Sequence, residues 1–311
     1  MLFLPSRLPS LSTVVLAGLL SFGHADLVLA QDAELVVTHA QGQTEVPSNP
    51  DKVFVYDLAA LDTLDALGVE IDGVPGSNLP DYLSKYGDDA YLKIGTLFEP
   101  DLEAVAAEQP DLVIVGGRSA AKYEVLSEMA PTIDLSVDTD TYLASAEENA
   151  RTLGKIFGKE DEADAKIAAL NESIEKLKTL AADAGTGLIV LTTGNKLSAF
   201  GPGSRFGIVH GAFGIKPASP DLDTAIHGEA VSFEFIREAN PDWLFVVDRD
   251  AAIGRGAAAS MLDNELVAQT TAWKNDQVVY LDPAKWYLVG GGLTALQSSV
   301  DQIAEALSKA D

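Results

Sequence analysis

An internal repeat constrains the fold of this chain more than any other feature of its sequence. Residues 103–118 read EAVAAEQPDLVIVGGR, and residues 234–249 read EFIREANPDWLFVVDR. Four positions agree in register without a gap: Glu103 with Glu234, Pro110 with Pro241, Asp111 with Asp242, and Arg118 with Arg249. Because self-similarity of this kind indicates a repeated architecture, we predict two lobes that share one local structure.

Each copy of the repeat predicts a short helix, a Pro-Asp turn and a buried strand. The apolar runs at 112–115 and 243–247 lack alternation, as expected for strands covered on both faces. The same strand-then-helix pattern precedes each copy, with strands at 53–56 and 188–191 and helices at 61–68 and 206–214. Strands that alternate with helices are typical of α/β folds. We therefore predict that each lobe has a central, mainly parallel sheet flanked by helices.

A long helix is predicted between the lobes. Its apolar positions recur at spacings of three and four residues: Ile167, Leu170, Ile174, Leu177 and Leu180. Asp161 is the predicted cap and Gly185 the predicted stop, and about twenty helical residues span roughly 30 Å. The predicted domains are an N-terminal α/β lobe at 31–152, a bridging helix at 153–184 and a C-terminal α/β lobe at 185–311. A stiff bridge of this kind favours a cleft that changes little on binding.

Residues 1–30 have the pattern of a secretory signal peptide. Arg7 precedes the apolar run Leu11–Leu20, and small or apolar residues lead to Ala30, the predicted cleavage site, with Ala25 as the alternative. The run is too short to span a bilayer, which takes about 18 or more apolar residues. The sequence has no cysteine that could carry a lipid anchor. We therefore expect a mature protein free in the periplasm of a double-membraned bacterium, without a membrane anchor.

The chain is strongly acidic, with a formal net charge of −26 at pH 7. Such a chain repels nucleic acid and anionic lipid, which excludes both as partners. In a chain this acidic, a local cluster of arginines indicates a site for a negatively charged ligand.

Three arginines are predicted to meet in the space between the lobes. Arg118 and Arg249 directly follow equivalent buried strands, and ligands of open α/β sheets bind beyond the carboxyl ends of the strands. Arg205 lies in Gly201–Gly207, a glycine-rich loop predicted to open a helix, where anions are favoured. The shared location predicts an anionic ligand.

His227 and Tyr287 are candidate metal ligands. His227 lies in a glycine-flanked loop before the second copy of the repeat, and Tyr287 lies in a loop predicted after the strand at 278–281. Imidazole and phenolate both bind Fe(III). From the residues alone, an ordinary loop histidine and a half-buried tyrosine without metal are the favoured interpretation. A zinc or manganese site is rejected because it would need more histidines in spacings that suggest one site.

Catalysis is not expected. The segment Gly117–Ala121 follows a strand, but it ends in alanine where a nucleophile elbow has glycine. The sequence contains no Walker A loop, no metalloprotease helix and no dinucleotide fingerprint. The remaining classes are a binding protein without an intrinsic cofactor and a structural or adhesive periplasmic protein.

Long segments of the chain resemble a known family. From about residue 36 to 307 the sequence is similar to the periplasmic substrate-binding proteins of ABC importers in the helical-backbone class, which serve iron-siderophore and cobalamin uptake. It looks most like the catecholate branch, the enterobactin- and petrobactin-type binders. The segments that carry the resemblance are DLAALDTLDALGVE, KIGTLFEPDLEAVAAEQPDLVIVGGR, LSAFGPGSRFGIVHGAFG, HGEAVSFEFI and LDPAKWYLVGGGLTAL.

The resemblance implies a fold of two α/β lobes bridged by a long helix, acting as a monomer. It also implies the ligand, a ferric siderophore whose charge is neutralised by arginines of both lobes at positions 118, 205 and 249. Lys122, one turn beyond the first of them, would assist. The alternative is another iron chelate, haem or cobalamin, although a cobalamin site would not need three arginines.

The resemblance assigns roles to four further residues, and the position of Trp286 beside one of them assigns a role to a fifth. His227 and Tyr287 would complete the Fe(III) shell when the siderophore offers only two bidentate arms. Trp286, beside the tyrosine, would contact the ligand and report its binding by quenching. Glu103 and Glu234 would dock on the importer permease, whereas their simpler role is to complement the dipoles of helix first turns.

Overall fold

The computed structural model describes residues 1–2, 34–222, 227–255 and 258–310. From residue 34 onward, the described residues belong to one compact unit. The predicted signal peptide therefore lies outside the described residues, apart from its first two positions. Among the helices that the structure describes, none combines the length and the apolar character needed to cross a membrane.

The N-terminal lobe contains an antiparallel hairpin and a parallel sheet. Its strands are β1 (Glu34–His39), β2 (Gly42–Pro47), β3 (Val53–Val55), β4 (Gly73–Val74), β5 (Leu92–Lys93), β6 (Leu112–Val115) and β7 (Thr132–Asp134). Its helices are α1 (Leu58–Ala66), α2 (Leu102–Glu108), α3 (Tyr123–Ser127) and α4 (Tyr142–Ile156), with 3₁₀ turns at Asp81–Gly87 and Ala120–Lys122. The sheet has the order β5-β4-β3-β6-β7, and every pairing in it is parallel.

A long helix, α5 (Glu160–Ala181), joins the two sheets along the chain. It buries the predicted apolar stripe, including Ile167, Leu170 and Leu177. Asp161 is not its cap, because the helix begins one residue earlier and Lys159 precedes it without a side-chain hydrogen bond. The aspartate instead lies in the first turn, where the helix dipole favours a negative charge.

The C-terminal lobe has a mixed sheet. Its strands are β8 (Thr186–Thr193), β9 (Lys196–Phe200), β10 (Lys216–Pro217), β11 (Glu229–Val231), β12 (Trp243–Asp248) and β13 (Val278–Tyr280). Its helices are α6 (Phe233–Ala239), α7 (Arg249–Ala252), α8 (Ala258–Leu262), α9 (Thr271–Lys274) and α10 (Leu293–Ala310), with 3₁₀ turns at Gly207–Val209 and Val267–Gln269 and a π-helix at Ala284–Val289. The order is β11-β9-β8-β12-β13, with β10 beside β8.

The predicted fold class, two α/β lobes with sheets flanked by helices, is confirmed. The predicted helix at 206–214 is wrong. The chain turns back after β8 at Gly194 (φ 55°), and β9 pairs antiparallel to β8 before a single 3₁₀ turn, Gly207–Val209, follows. Glycines at 207, 211 and 214 disfavour a regular helix in this segment.

The sequence repeat corresponds to a structural repeat. The helices α2 and α6 are capped by the side chains of Asp101 and Ser232, and each ends in a left-handed residue before the Pro-Asp turn. The aspartate of each turn accepts a hydrogen bond from the backbone next to it in the sheet, from Lys52 N to Asp111 at 2.8 Å and from Thr186 N to Asp242 at 2.7 Å. The repeated Asp therefore fixes the start of the neighbouring strand in both lobes.

A buried carboxylate ties the N-terminal lobe to the last helix. Asp62, on α1, is fully buried and accepts hydrogen bonds from Thr294 N at 2.7 Å and from the Tyr82 hydroxyl at 2.7 Å. It thereby caps α10, whose apolar face packs in the C-terminal lobe. Gly292 lies against the Asp62 carboxylate, and a side chain there would displace it.

We expect Asp62→Ala to lower the free energy of unfolding by about 2–3 kcal/mol, since hydrogen bonds to a charged group are lost and backbone donors remain buried. Chemical denaturation measures this, and Asp62→Asn, which keeps an acceptor and the volume, is the matched control. Burial raises the pKa of Asp62 to about 6, above its ordinary 3.8, so the folded protein loses stability at this group as the pH rises from about 4 to about 6. The Asn variant should lack this part of the pH dependence. Equal stability of the wild type and both variants would mean that the hydrogen bonds of Asp62 do not stabilise the contact between α1 and α10.

Candidate functional site

The centre of the candidate site is Tyr287, which lies in a π-helix rather than in the predicted loop. Pro283 precedes this helix, and Asp282 accepts hydrogen bonds from Ala284 N and Lys285 N, both at 3.0 Å. These contacts start a helical turn directly after β13. The turn ends at Gly290, whose φ of 70° suits glycine.

The three arginines predicted from the sequence converge on Tyr287. Arg249 Nε donates to the Tyr287 hydroxyl at 3.0 Å. Arg118 donates to the Tyr287 carbonyl at 2.6 Å and to the Leu288 carbonyl at 3.0 Å. Arg205 donates to the same Tyr287 carbonyl at 3.0 Å. Their guanidinium carbons lie 5.1, 4.9 and 5.8 Å from the ring centre for Arg118, Arg205 and Arg249, within cation–π distance.

The sheets explain how these side chains meet. Arg118 follows β6, and Arg249 begins α7 directly after β12, so each stands at the carboxyl edge of its sheet. Arg205 does not follow a parallel strand and lies in the loop after β9. In this loop the Ser204 hydroxyl donates to the Gly201 carbonyl at 2.6 Å. The predicted helix start at Arg205 is wrong, since only a 3₁₀ turn follows. The positive charge at this position therefore comes from the Arg205 guanidinium and not from a helix N-terminus. The guanidinium carbon also lies 4.7 Å from the centre of the Phe206 ring.

The arginines change the acidity of the tyrosine. Burial by itself would raise the pKa of Tyr287, but the hydrogen bond from Arg249 and the positive charges of all three arginines outweigh it and lower that pKa. Burial and the neighbouring Arg118 charge lower the pKa of Arg205. The guanidinium groups of Arg118 and Arg205 therefore repel each other, and an anion beside them would relieve the repulsion. The site is thus built for a negative charge and favours the phenolate form of Tyr287.

The remaining predicted site residues lie at different distances from this cluster. Lys122 ends the 3₁₀ turn after Arg118 and forms an ion pair with Glu99 at 2.8 Å. His227 is exposed two residues before β11, and the described contacts do not join it to the cluster. Its role as a metal ligand stays a prediction.

Trp286 lies in the core rather than on the surface of the site. Its side chain is 5% exposed and its ring lies 6.4 Å from each of the Phe206 and Phe213 rings. The indole therefore lies among buried aromatic rings, and direct contact of Trp286 with the ligand stays a prediction. Trp286 is adjacent in sequence to Tyr287, so a ligand bound at Tyr287 can change the fluorescence of the indole.

Sequence reasoning missed two acidic residues, one beside Arg118 and one paired with Lys122. Asp57 follows β3, caps α1 through Ala60 N at 2.8 Å and lies close to Arg118; burial raises its pKa to about 6 despite these partners. Its place between a strand and a helix is an ordinary capping signal that could have identified it. Glu99 carried no local signal, since its partner Lys122 lies on another loop.

Glu103 and Glu234 occupy equivalent positions on the two lobes. Each is exposed in the first turn of its short helix, α2 or α6. The docking role assigned to them stays a prediction.

Comparison with known proteins identifies the family. The periplasmic binding protein family model matches residues 53–284. Petrobactin-binding protein YclQ of Bacillus subtilis is 43% identical over 270 residues, which cover 86% of this chain and 85% of YclQ. Its crystal structure has a TM-score of 0.86 at 42% identity, covering 88% of this chain and 99% of that one.

Two further proteins are similar over most of their length. Ferric-anguibactin-binding protein FatB of Vibrio anguillarum is 33% identical over 280 residues, which cover 88% of this chain and 87% of FatB. The crystal structure of the periplasmic catecholate-siderophore binding protein VctP from Vibrio cholerae has a TM-score of 0.84 at 35% identity, covering 87% of this chain and 99% of that one. With its fold, its family match and these relatives in agreement, the chain belongs to the periplasmic binding protein family.

Proposed function

We propose that this protein captures a ferric siderophore of catecholate type in the periplasm and delivers it to an ABC importer in the inner membrane. The convergence of Arg118, Arg205 and Arg249 on Tyr287 carries the proposal, because it concentrates positive charge within a chain of net charge −26. The names of the relatives, which bind petrobactin, ferric anguibactin and catecholate siderophores, support it.

The chemistry of the ligand fits the donors of the site. Ferric catecholates are anions whose oxygens accept hydrogen bonds, and the planar guanidinium fork directs several donors at such oxygens. In the free protein, Arg118 and Arg205 donate to the Tyr287 and Leu288 carbonyls, which orient both forks before a ligand arrives. Preorganisation of this kind lowers the cost of ordering side chains on binding.

Tyr287 and His227 are proposed to ligate iron when the siderophore leaves coordination positions open. The arginines favour the phenolate of Tyr287, which is the form that bonds to Fe(III). His227 is exposed in the segment before β11, and an exposed imidazole can coordinate Fe(III). A hexadentate siderophore would satisfy iron by itself and need neither residue.

We expect His227→Ala and Tyr287→Phe to weaken binding of tetradentate ferric catecholates by about tenfold or more, the loss of roughly 1.4 kcal/mol. Binding of hexadentate chelates should change little, which makes them the internal control. Absorption spectroscopy should show a tyrosinate-to-iron charge-transfer band with tetradentate ligands that Tyr287→Phe lacks. Equal affinities of wild type and both variants for tetradentate ligands would mean that neither residue touches iron.

The test of the proposed function is a fluorescence titration with a panel of ferric chelates. We expect ferric catecholates to bind at sub-micromolar Kd, about −8 kcal/mol or stronger, and to quench the buried Trp286 through Tyr287. Replacing Trp286 with Phe should remove most of the quenching and leave affinity measured by calorimetry unchanged. Tighter binding of hydroxamate chelates, haem or cobalamin than of any catecholate would overturn the catecholate assignment.

The remaining parts of the proposal concern delivery. We propose a monomer that is secreted through a cleaved signal peptide, carries no membrane anchor and catalyses no reaction. Glu103 and Glu234, exposed at equivalent places on the two lobes, are the proposed contacts with the importer permease.

A further inference from the structure

We infer that Glu99 is a specificity-determining residue, which holds Lys122 in an ion pair at the rim of the cleft and so biases the site against the most negatively charged chelates. The inference rests on the proposed function and adds to it a residue that limits the positive charge of the site.

The position of the pair follows from the sheet of the N-terminal lobe. The strands β5 and β6 run parallel in one sheet, so the segments that follow them lie at the same edge. The segment after β6 carries Arg118 and, beyond it, Lys122. The segment after β5 carries Glu99 in residues 95–100, here called the rim turn. The ion pair, at 2.8 Å, therefore crosses the edge of the sheet that also presents Arg118.

The rim turn holds Glu99 in place. Thr96 N donates to the Glu99 carbonyl at 2.8 Å, and the Thr96 hydroxyl accepts from Glu99 N at 3.0 Å. Gly95 has a φ of 111° and packs directly against the backbone of Glu99 and Asp101, where no side chain fits. The backbone on which Glu99 stands is thus fixed before any ligand arrives.

The exposure of Lys122 and Glu99 indicates the role of their ion pair. The side chains of Lys122 and Glu99 are 31% and 74% exposed, and exposed ion pairs contribute little to stability. The pair therefore does not hold the fold together, and Lys122 has a long side chain that can leave Glu99 for a stronger anion. While the pair persists, the carboxylate cancels the lysine charge, and the three arginines set the charge that a chelate meets.

The consequence is a preference that depends on ligand charge. Removing the Glu99 carboxylate would free Lys122 for the ligand and add one positive charge to the rim. Because Coulomb energy scales with the charge of the ligand, a trianionic chelate would gain more from this change than a monoanionic one. In the wild-type protein, Glu99 therefore reduces the advantage in affinity that a trianionic chelate has over a monoanionic one.

The experiment measures affinities of Glu99→Gln for two probes, a hexadentate ferric tris-catecholate trianion and a tetradentate ferric bis-catecholate monoanion. We expect Glu99→Gln to bind the trianion about three- to tenfold more tightly than wild type, and the monoanion less than about twofold more tightly. The gain should shrink between about 0.05 M and about 0.3 M salt, because screening weakens interactions of exposed charges. In a Lys122→Gln background, Glu99→Gln should bring a clearly smaller gain, because only the repulsion between the carboxylate and the trianion is removed and no lysine is released.

Glu108→Gln is the matched control. Glu108 pairs with Lys52 at 2.9 Å, and the two side chains are 43% and 38% exposed. The variant changes net charge and frees a lysine in the same way, but Lys52 precedes β3 and Glu108 ends α2, at the opposite edge of the same sheet. It should leave both affinities at the wild-type value.

Two results would overturn the inference alone. One is an equal gain in affinity for the trianion in Glu99→Gln and Glu108→Gln, which would mean that the gain depends only on the net charge of the protein. The other is an undiminished gain in the Lys122→Gln background, which would mean that Glu99 acts without the lysine. A wild-type protein that binds neither chelate would overturn the proposed function and this inference with it.

Discussion

Replacing Arg118, Arg205 or Arg249 with alanine is expected to weaken binding of a ferric catecholate by about 1–3 kcal/mol for each residue, the range for hydrogen bonds to charged groups. Arg118 and Arg205 should give the larger losses, because their guanidinium groups share the Tyr287 carbonyl and are oriented by it. Since both hold one tyrosine, the double variant should deviate from additivity. Isothermal titration calorimetry measures the affinities of the wild type, the three single variants and the double variant.

The control for the arginine variants is Arg151→Ala. Arg151 is a surface residue of α4 that pairs with Glu147 at 3.1 Å and Asp164 at 3.4 Å, and its loss changes net charge by the same amount. It should leave affinity unchanged. Unaltered affinity in all three cleft variants would remove the argument for an anion site, whereas a loss in Arg151→Ala as well would show that only net charge matters.

Reversing Glu103 and Glu234 to arginine is expected to abolish iron uptake while ligand capture stays normal. The two residues occupy equivalent first-turn positions on α2 and α6, which a symmetric importer of paired subunits could grip at both lobes. Arginine on the permease is the natural bidentate partner of each carboxylate. Uptake of ferric siderophore in a strain that lacks the wild-type copy measures delivery, and titration of the purified variant measures capture.

The simpler explanation of both glutamates is helix-dipole stabilisation, worth about 0.3–1 kcal/mol each. Reversing Glu124, which stands in the first turn of α3, is the matched control for that effect, since it places the same positive charge at another helix start. That control should transport normally. Normal uptake by the doubly reversed protein would end the docking hypothesis and leave the dipole role standing.

The local arrangement of each lobe could be predicted because it depends on residues close in sequence. The repeat around Glu103 and Glu234 contains a helix, a Pro-Asp turn and a continuous apolar strand, and each of these signals acts over a few residues. Arg118 and Arg249 were located for the same reason, since a residue that directly follows a buried parallel strand stands at its carboxyl edge.

The differences between the predictions and the structure have separate causes. The segment predicted as a helix at 206–214 contains only the 3₁₀ turn Gly207–Val209, because the glycines at 207, 211 and 214 disfavour a regular helix. The segment around Tyr287 reads as a loop but forms a π-helix held by Asp282. Trp286 was assigned to the ligand by its neighbour in sequence, although its side chain points into a core built from other segments.

The sequence by itself determined the two α/β lobes, the helix between them and the concentration of arginine at the sheet edges, since these follow from periodicity, turn chemistry and strand order. Only the tertiary structure decided that Arg205 meets Arg118 at one carbonyl, that Glu99 neutralises Lys122 and that Asp62 caps α10. The physical reason is that each of these contacts joins residues far apart in the chain. Their side chains meet only after the sheets and helices have packed, and no local pattern records the partner.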